Sequence, residues 1–309
     1  MNGHTYTSNV AKLLKHIDNL KQMQEGKPSP IMVHIIPTHK CKLNCVHCCF
    51  KNRVNKKADM TFEMFEQGIM AWKKLGVKAV EFTGGGDPTE WPHLTKAVLL
   101  LKKQGFKIGL ITNGLGFDKF QHLSLLDWCR ISLNTLDYRA NIPNIELAKR
   151  QTHVSFCYIW NKTSEKNIDK VIRFAEEHKI VCRVAPDCVQ KSVKIDAELA
   201  YIKSRIVSDW VFVSDFNIKT KRKNDNCYIH LIKPCMYLDG YVYACPSTEL
   251  ALENNKKVNN KYRICKIEDI SKYYKNLEVK HFDCSYCKYV AQNELIEELL
   301  RKTEFNEFA

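Results

Sequence analysis

From residue 31 to about residue 190, short β-rich apolar runs alternate with stretches whose apolar residues recur at helical spacing. The strand patterns are Ile31–Ile36, Lys78–Thr83, Lys107–Thr112, Trp128–Leu133, His153–Ile159 and Ile180–Val184. Between them, Phe62, Phe65, Ile69 and Trp72 line one helical face, with Thr61 as N-cap and Gly76 as terminator. Leu94, Ala97, Val98 and Leu101 mark a second helix closed by Gly105, and Ile168, Val171, Ile172 and Ala175 mark a later one. Strands alternating with helices imply an α/β fold with a parallel sheet and right-handed crossovers. Six such units predict an open, partial (β/α)6 barrel, although the spacing alone also allows a flat doubly wound sheet.

Outside that region the pattern changes. Residues 1–30 read as a short helix carrying Val10, Leu13, Leu14 and Ile17, closed by Gly26 and Pro28. Beyond about residue 190 the alternation is expected to stop, and Lys219–Asn226 reads as a polar linker. Met236–Tyr243 predicts a hairpin turning at Asp239-Gly240, and a last helix carries Leu295, Ile296, Leu299 and Leu300. The expected domains are therefore 1–30, a barrel over 31–190, a connector over 191–222 and a C-terminal unit over 223–309.

Composition limits the setting. No apolar run is long enough to cross a membrane, and the N-terminus lacks the apolar segment of a signal peptide, which predicts a cytoplasmic protein. In such a chain, 14 cysteines at clustered short spacings point to metal rather than disulfides. Cys129, Cys157 and Cys182 stand singly in apolar strands and read as small core residues. A net charge of +14 suits a polyanionic partner, yet the lysines are spread along the whole chain.

The first strand runs into Cys41-Lys-Leu-Asn-Cys45-Val-His-Cys48, a CxxxCxxC spacing on one loop. A structural zinc site wants four protein ligands, and Cys49, the adjacent thiol, is badly directed to be the fourth. Three thiolates on a 4Fe–4S cluster leave one iron open for a small molecule. The second strand leads into Gly84-Gly85-Gly86-Asp87, where glycines permit positive φ and close approach of backbone to a ligand.

These motifs resemble the radical S-adenosylmethionine (SAM) superfamily: the cysteine spacing, the aromatic-type His47 before the third cysteine, and the glycine run where that family has a GGE-type segment. Ile111-Thr112-Asn113-Gly114 is similar to its ITNG, and Ile131-Ser132-Leu133-Asn134 to its S-L-D. The resemblance implies that Cys41, Cys45 and Cys48 hold a catalytic 4Fe–4S cluster. It implies further that Gly84, Gly85, Gly86, Asp87, Asn113, Ser132, Asn134, Asn161 and Arg183 line the SAM site. Arg130, Ser132 and Asn134 are expected on one lumen-facing side of strand four, and Tyr158 or Cys157 of strand five as lumen-facing candidates.

The C-terminal thiols Cys227, Cys245, Cys284 and Cys287 resemble the auxiliary-cluster extension called twitch, the shorter relative of SPASM, and imply a second 4Fe–4S cluster. Zinc tolerates the same spacing. A two-residue turn at Asp239-Gly240 would pair Leu238 with Tyr241 and Cys235 with Ala244. Cys235 and Cys245 would then face opposite sides, making Cys235 a bystander. The expected activity is reductive cleavage of SAM to a 5′-deoxyadenosyl radical and hydrogen abstraction from an organic substrate, giving oxidation, cross-linking or rearrangement. Such an enzyme implies an electron donor of the reductase, flavodoxin or ferredoxin type. The alternatives are modification of a nucleic-acid base, which the charge would assist, and a non-catalytic zinc or iron–sulfur module that binds nucleic acid.

Overall fold

The computed structural model describes residues 10–51, 53, 55–161, 165–187, 195–214, 220–221, 226–246, 262–276, 280–282, 286–301 and 304. Six parallel strands follow one another in sheet order: β1 (Met32–Ile36), β2 (Ala79–Phe82), β3 (Lys107–Thr112), β4 (Trp128–Ser132), β5 (Val154–Trp160) and β6 (Cys182–Pro186). Each lies within two residues of its expected bounds. Together with the intervening helices they form the expected α/β partial barrel.

The helices behave as their periodicity requires. In α2 (Phe62–Lys74), Thr61 Oγ1 accepts from Met64 N at 3.2 Å, and Phe62, Phe65, Ile69 and Trp72 are buried. Phe65 stacks on Phe82 of β2 at 5.9 Å between ring centroids, and Trp91 meets Phe65 edge-on at 5.4 Å. Each such buried ring contributes about 1.5–3 kcal/mol. α3 (Leu94–Lys103) buries Leu94, Ala97, Val98 and Leu101. Farther on are α4 (Ile145–Gln151) and α5 (Ile168–His178), whose Phe174 packs on Phe156 of β5.

These ring contacts fix the two sides of the sheet. Phe82 and Phe156 face helices, so Glu81, Ser155 and Cys157 face the lumen. Tyr158, two residues from Phe156, therefore lies on the helix side. Of the strand-five pair expected in the lumen, only Cys157 is there.

Four other expectations need correction. The alternation runs one unit further: α6 (Ile195–Arg205) leads to β7 (Val211–Val213), which pairs parallel with β6. A strand of three residues is too short to leave a pattern. Of the expected linker, 219 and 222–225 lie outside the described residues, and the rest makes ladders. β8 (Thr220–Lys221) and β9 (Asn226–Cys227) pair antiparallel with β14 (Tyr286–Cys287) and β13 (Lys280–His281). At the N-terminus a 3-10 turn over Val10–His16 precedes α1 (Ile17–Gln24); the turn buries Leu13 and the helix buries Leu20 and Met23. Leu14 and Ile17, expected in the apolar stripe, are 54% and 46% exposed.

The fourth correction concerns the hairpin. β10 (Cys235–Tyr237) and β11 (Tyr241–Tyr243) pair Cys235 with Tyr243 and Met236 with Val242. The loop therefore holds Leu238, Asp239 and Gly240, with Gly240 at φ +88°, the three-residue geometry that ends in a left-handed glycine. In that register the bystander argument for Cys235 fails. The hairpin also joins the barrel sheet: β10 runs parallel beside β1, with Cys235 opposite His34, and β12 (Arg263–Lys266) continues the edge beyond β11. After α7 (Ile270–Lys275), the chain ends in α8 (Val290–Leu300), which packs on α1, Gln24 Nε2 donating to Leu299 O at 2.9 Å. Ile296 is buried there, and Leu295, Leu299 and Leu300 are partly so. Among the described residues, no helix is long and apolar enough to cross a membrane.

Candidate active site

The loop after β1 is tied down before it reaches its cysteines. Thr38 Oγ1 donates to Asp59 Oδ1 at 2.6 Å, and Lys40 Nζ contacts Asp59 Oδ2. Gly86 N donates to Thr38 O and Asp87 N to Lys40 O, both at 2.7 Å. The glycine run thus pairs with the segment leading into Cys41. A Cβ on Gly86 would stand 2.0 Å from Lys40 O, and one on Gly85 2.7 Å from the His39 ring. Neither has positive φ; what demands glycine here is contact with the cysteine loop's own stem.

Asp87 is 4% exposed and accepts from Thr89 N, Thr89 Oγ1, Thr112 Oγ1 and Asn113 N, the last at 2.6 Å. Burial raises its pKa against the pull of those donors. Its carboxylate fastens the glycine run to the end of β3. Asn113, so held, donates from Nδ2 to Cys41 Sγ at 3.5 Å, and Leu43 N donates to the same sulfur at 3.4 Å.

The three thiols are neighbours. Burial, then Cys48, Cys41 and Asp137, push the Cys45 thiol up to about 12. Thiols that oppose one another's ionisation in this way are stabilised as thiolates by a cationic centre, so the donor set fits an iron–sulfur cluster. Among the described residues, no three His, Cys, Asp or Glu side chains converge as ligands to a single metal ion. A four-iron cube spaces its cysteines more widely than one ion does.

Asn161, 4% exposed at the end of β5, has Nδ2 3.3 Å from His47 Nδ1, linking the cysteine loop to the fifth strand. Ser132 stands on the lumen face in one row with Cys157 and Arg183. Asn134 is not on that face, because β4 ends at Ser132 and a 3-10 turn over Leu133–Asp137 begins. Its amide clamps β5, accepting from Ile159 N at 2.7 Å and donating to Ile159 O at 2.9 Å and Asp137 Oδ2 at 3.1 Å.

Asp137 is a residue the sequence reading missed. Its Oδ1 also accepts from Tyr158 Oη at 2.9 Å and Asn167 Nδ2 at 2.7 Å, and its charge acts on Cys45 and His47. Tyr138, beside it, accepts from Val46 N at 3.1 Å. The signal was Asn134-x-x-Asp137, a spacing that one 3-10 turn brings to the same side.

At the other end of the chain, Cys227 pairs with Lys280 and Cys287 with Thr220. Cys287 Sγ accepts from Tyr289 N at 3.2 Å and Asn293 Nδ2 at 3.9 Å, while Asn293 Oδ1 accepts from Tyr228 N at 2.8 Å. Asn293 thus ties the residue after Cys227 to the sulfur of Cys287. Lys233 is 7% exposed, its Nζ 3.9 Å from the Tyr289 ring centre. Burial and Lys288 lower its pKa to about 7 against the pull of Cys245, Glu81 and Cys287, which places both thiols near it. Cys284 lies outside the described residues.

The family model described as "Radical SAM superfamily" matches residues 35–174. A tungsten-containing aldehyde ferredoxin oxidoreductase cofactor-modifying protein of Pyrococcus furiosus is 26% identical over 200 residues, 62% of this chain and 53% of that protein. A PqqA peptide cyclase of Bradyrhizobium diazoefficiens is 22% identical over 56% of this chain and 45% of its own. The chain thus spans about half the length of these curated relatives. SuiB of Streptococcus suis, solved bound to precursor peptide SuiA, superposes with a TM-score of 0.54 at 17% identity, over 88% of this chain and 73% of its own, a likeness of fold.

Proposed function

We propose that the chain, whose residues 35–174 match the radical SAM superfamily model, is a radical SAM enzyme acting on an organic substrate. The observation that carries this is the joint between motif and motif: Asp87 grips Asn113, and Asn113 reaches the sulfur of Cys41. A cysteine loop, a glycine run and the end of β3 are thereby one hydrogen-bonded unit, as a site that juxtaposes a cluster with a small cofactor requires.

In this reading Cys41, Cys45 and Cys48 hold a 4Fe–4S cluster. When bound, it supplies the electron that cleaves SAM to a 5′-deoxyadenosyl radical able to abstract hydrogen from carbon. The chain's own residues position the cofactor and exclude water. Backbone of Gly84, Gly85 and Gly86, set by the Asp87 carboxylate, receives the amino group of SAM. Asn113, Ser132 and Asn161 border the remainder, and Asn134 acts by fixing Asp137 and the β4–β5 edge. The buried walls of the barrel keep solvent from a reactive intermediate.

Cys227, Cys245, Cys284 and Cys287 are proposed to hold a second 4Fe–4S cluster. The N–H donors at Cys287 support this, because such hydrogen bonds stabilise a thiolate ligand. A flavodoxin- or ferredoxin-type donor supplies electrons in this scheme, and a reducing cytoplasm suits a chain with so many thiols. The relatives named above are a peptide cyclase, a peptide-bound structure and a cofactor-modifying protein, so none of them supports the nucleic-acid reading of the +14 charge.

The test is anaerobic reconstitution followed by iron and sulfide analysis and reduction in the presence of SAM. The expected result is about eight irons per chain, two iron–sulfur signals by electron paramagnetic resonance, and 5′-deoxyadenosine as product. A colourless, zinc-only protein that leaves SAM intact after reduction would overturn the reading.

A further inference from the structure

In and beneath the row that holds Ser132, the lumen is charged. Glu81 pairs in register with His34 on β1, and their side chains meet at 2.8 Å, Nδ1 to Oε1. Arg130 is one step down β4 from Ser132 and lies over the Trp128 ring at 5.1 Å. Arg183 shares its row with Cys157 and Ser132. The neighbours between these long side chains are small: Gly109 opposite Glu81, Ser155 opposite Arg130, Cys157 opposite Arg183, and Ala185 two residues beyond Arg183. The Trp128 ring fills the space beside Gly109, and the small side chains of Ser155 and Cys157 leave the two guanidiniums room to extend inward.

Arg183 is the unusual member. It is 8% exposed, and its Nε is buried with no hydrogen-bond partner among the described residues. No carboxylate among them lies within ion-pair distance of its guanidinium. A buried, unpaired cation costs several kcal/mol, so it is retained only where something else pairs with it. Burial, and then the neighbouring charge of Arg130, lower its pKa to about 10, which leaves it a cation at neutral pH. The neighbours whose charge acts on it are Arg130, Cys157, Cys182 and Glu81.

We propose that this layer is a substrate-binding subsite in which Arg183, supported by Arg130, receives an anionic oxygen group of the substrate, a carboxylate or a phosphate. The forked guanidinium suits either anion. Arg183 is expected from the family resemblance to touch SAM; its surroundings assign it instead to the substrate. This deepens the functional reading and rests on it only for what lies above the subsite.

The experiment titrates reconstituted, oxidised protein with inorganic phosphate and, separately, with succinate by calorimetry, alongside SAM. Saturable binding of one probe is expected, and the probe that binds says which anion the subsite takes. Arg183→Gln should weaken that probe at least tenfold and SAM by much less, with Arg183→Lys in between for the anion. Circular dichroism and thermal unfolding check that the variants fold, and Arg183→Lys, which keeps the charge, carries the comparison if Arg183→Gln does not. Failure of wild type to bind either anion, or a loss of SAM affinity matching that of the anion, overturns the proposal. Iron content and 5′-deoxyadenosine formation, measured without either probe, test the radical reading separately. Iron-free protein that still bound phosphate through Arg183 would sink that reading and keep this one.

Discussion

The side-chain amide of Asn113 points at the sulfur of Cys41, 3.5 Å away, across 72 residues of chain. The backbone of Asn113 is independently held by Asp87, so the amide can be removed without dismantling the loop. A hydrogen bond to a charged group is worth about 1.5–3 kcal/mol, and a thiolate ligand is the charged form. Asn113→Ala should therefore keep the iron of the first cluster, shift the resonance of its reduced state, and slow 5′-deoxyadenosine formation about tenfold. An unchanged spectrum and rate would show that the contact is incidental.

Gly86 makes a harsher case. Its missing Cβ is replaced in space by Lys40 O, at 2.0 Å, and backbone cannot move aside as a side-chain tip does. Gly86→Ala must push the cysteine stem away from the glycine run, breaking the bonds from Gly86 N and Asp87 N. Overpacking of this kind costs roughly 3 kcal/mol. The expected outcome is a lowered unfolding midpoint together with loss of the iron held at Cys41, Cys45 and Cys48. A variant with normal stability and iron would mean the two segments are not in contact.

What was readable in the sequence follows from how each feature is encoded. β3 and α2 declare themselves through six and thirteen consecutive residues of one period, and both are where the pattern put them. β7 has three residues, too few to show a period. The hairpin's turn residues were plain, but Asp-Gly serves both two- and three-residue loops, and only tertiary pairing decides between them. The glycine run was legible as a place of close approach, yet the object approached is the chain itself. Asp137 left one local signal, its spacing from Asn134, but its partners Tyr158 and Asn167 are distant in sequence, and no local pattern reveals them.

Glu81 gives the pH dependence a definite sign. Burial alone would raise its pKa, but His34 beside it, with Arg130 and Lys233 farther off, holds it below the ordinary carboxylate range. A depressed folded-state pKa stabilises the native protein above the unfolded value, about 4.3, and that contribution is lost as pH falls through the folded value. Denaturation of wild type and Glu81→Gln between pH 5.5 and pH 3 should show the difference between them shrinking as pH drops below the unfolded value. A gap that widened on acidification would reverse the assignment.

Cys235 is where the register correction has its sharpest consequence. The observed pairing puts it opposite Tyr243 on one side and His34 on the other, 1% exposed inside the barrel sheet. A residue fixed on both flanks by ladder pairing has no freedom to swing toward Cys287, which is positioned by Tyr289 N and Asn293. The original reason for excluding Cys235 as a ligand is gone, yet this confinement points the same way on different grounds. Cys235→Ala should therefore retain the wild-type iron content and lose only packing stability. Cys227→Ala and Cys287→Ala should each lower the iron by about half, since one of two four-iron clusters would go. Loss of half the iron from Cys235→Ala would make it a ligand and show that β10 shifts when the auxiliary site fills.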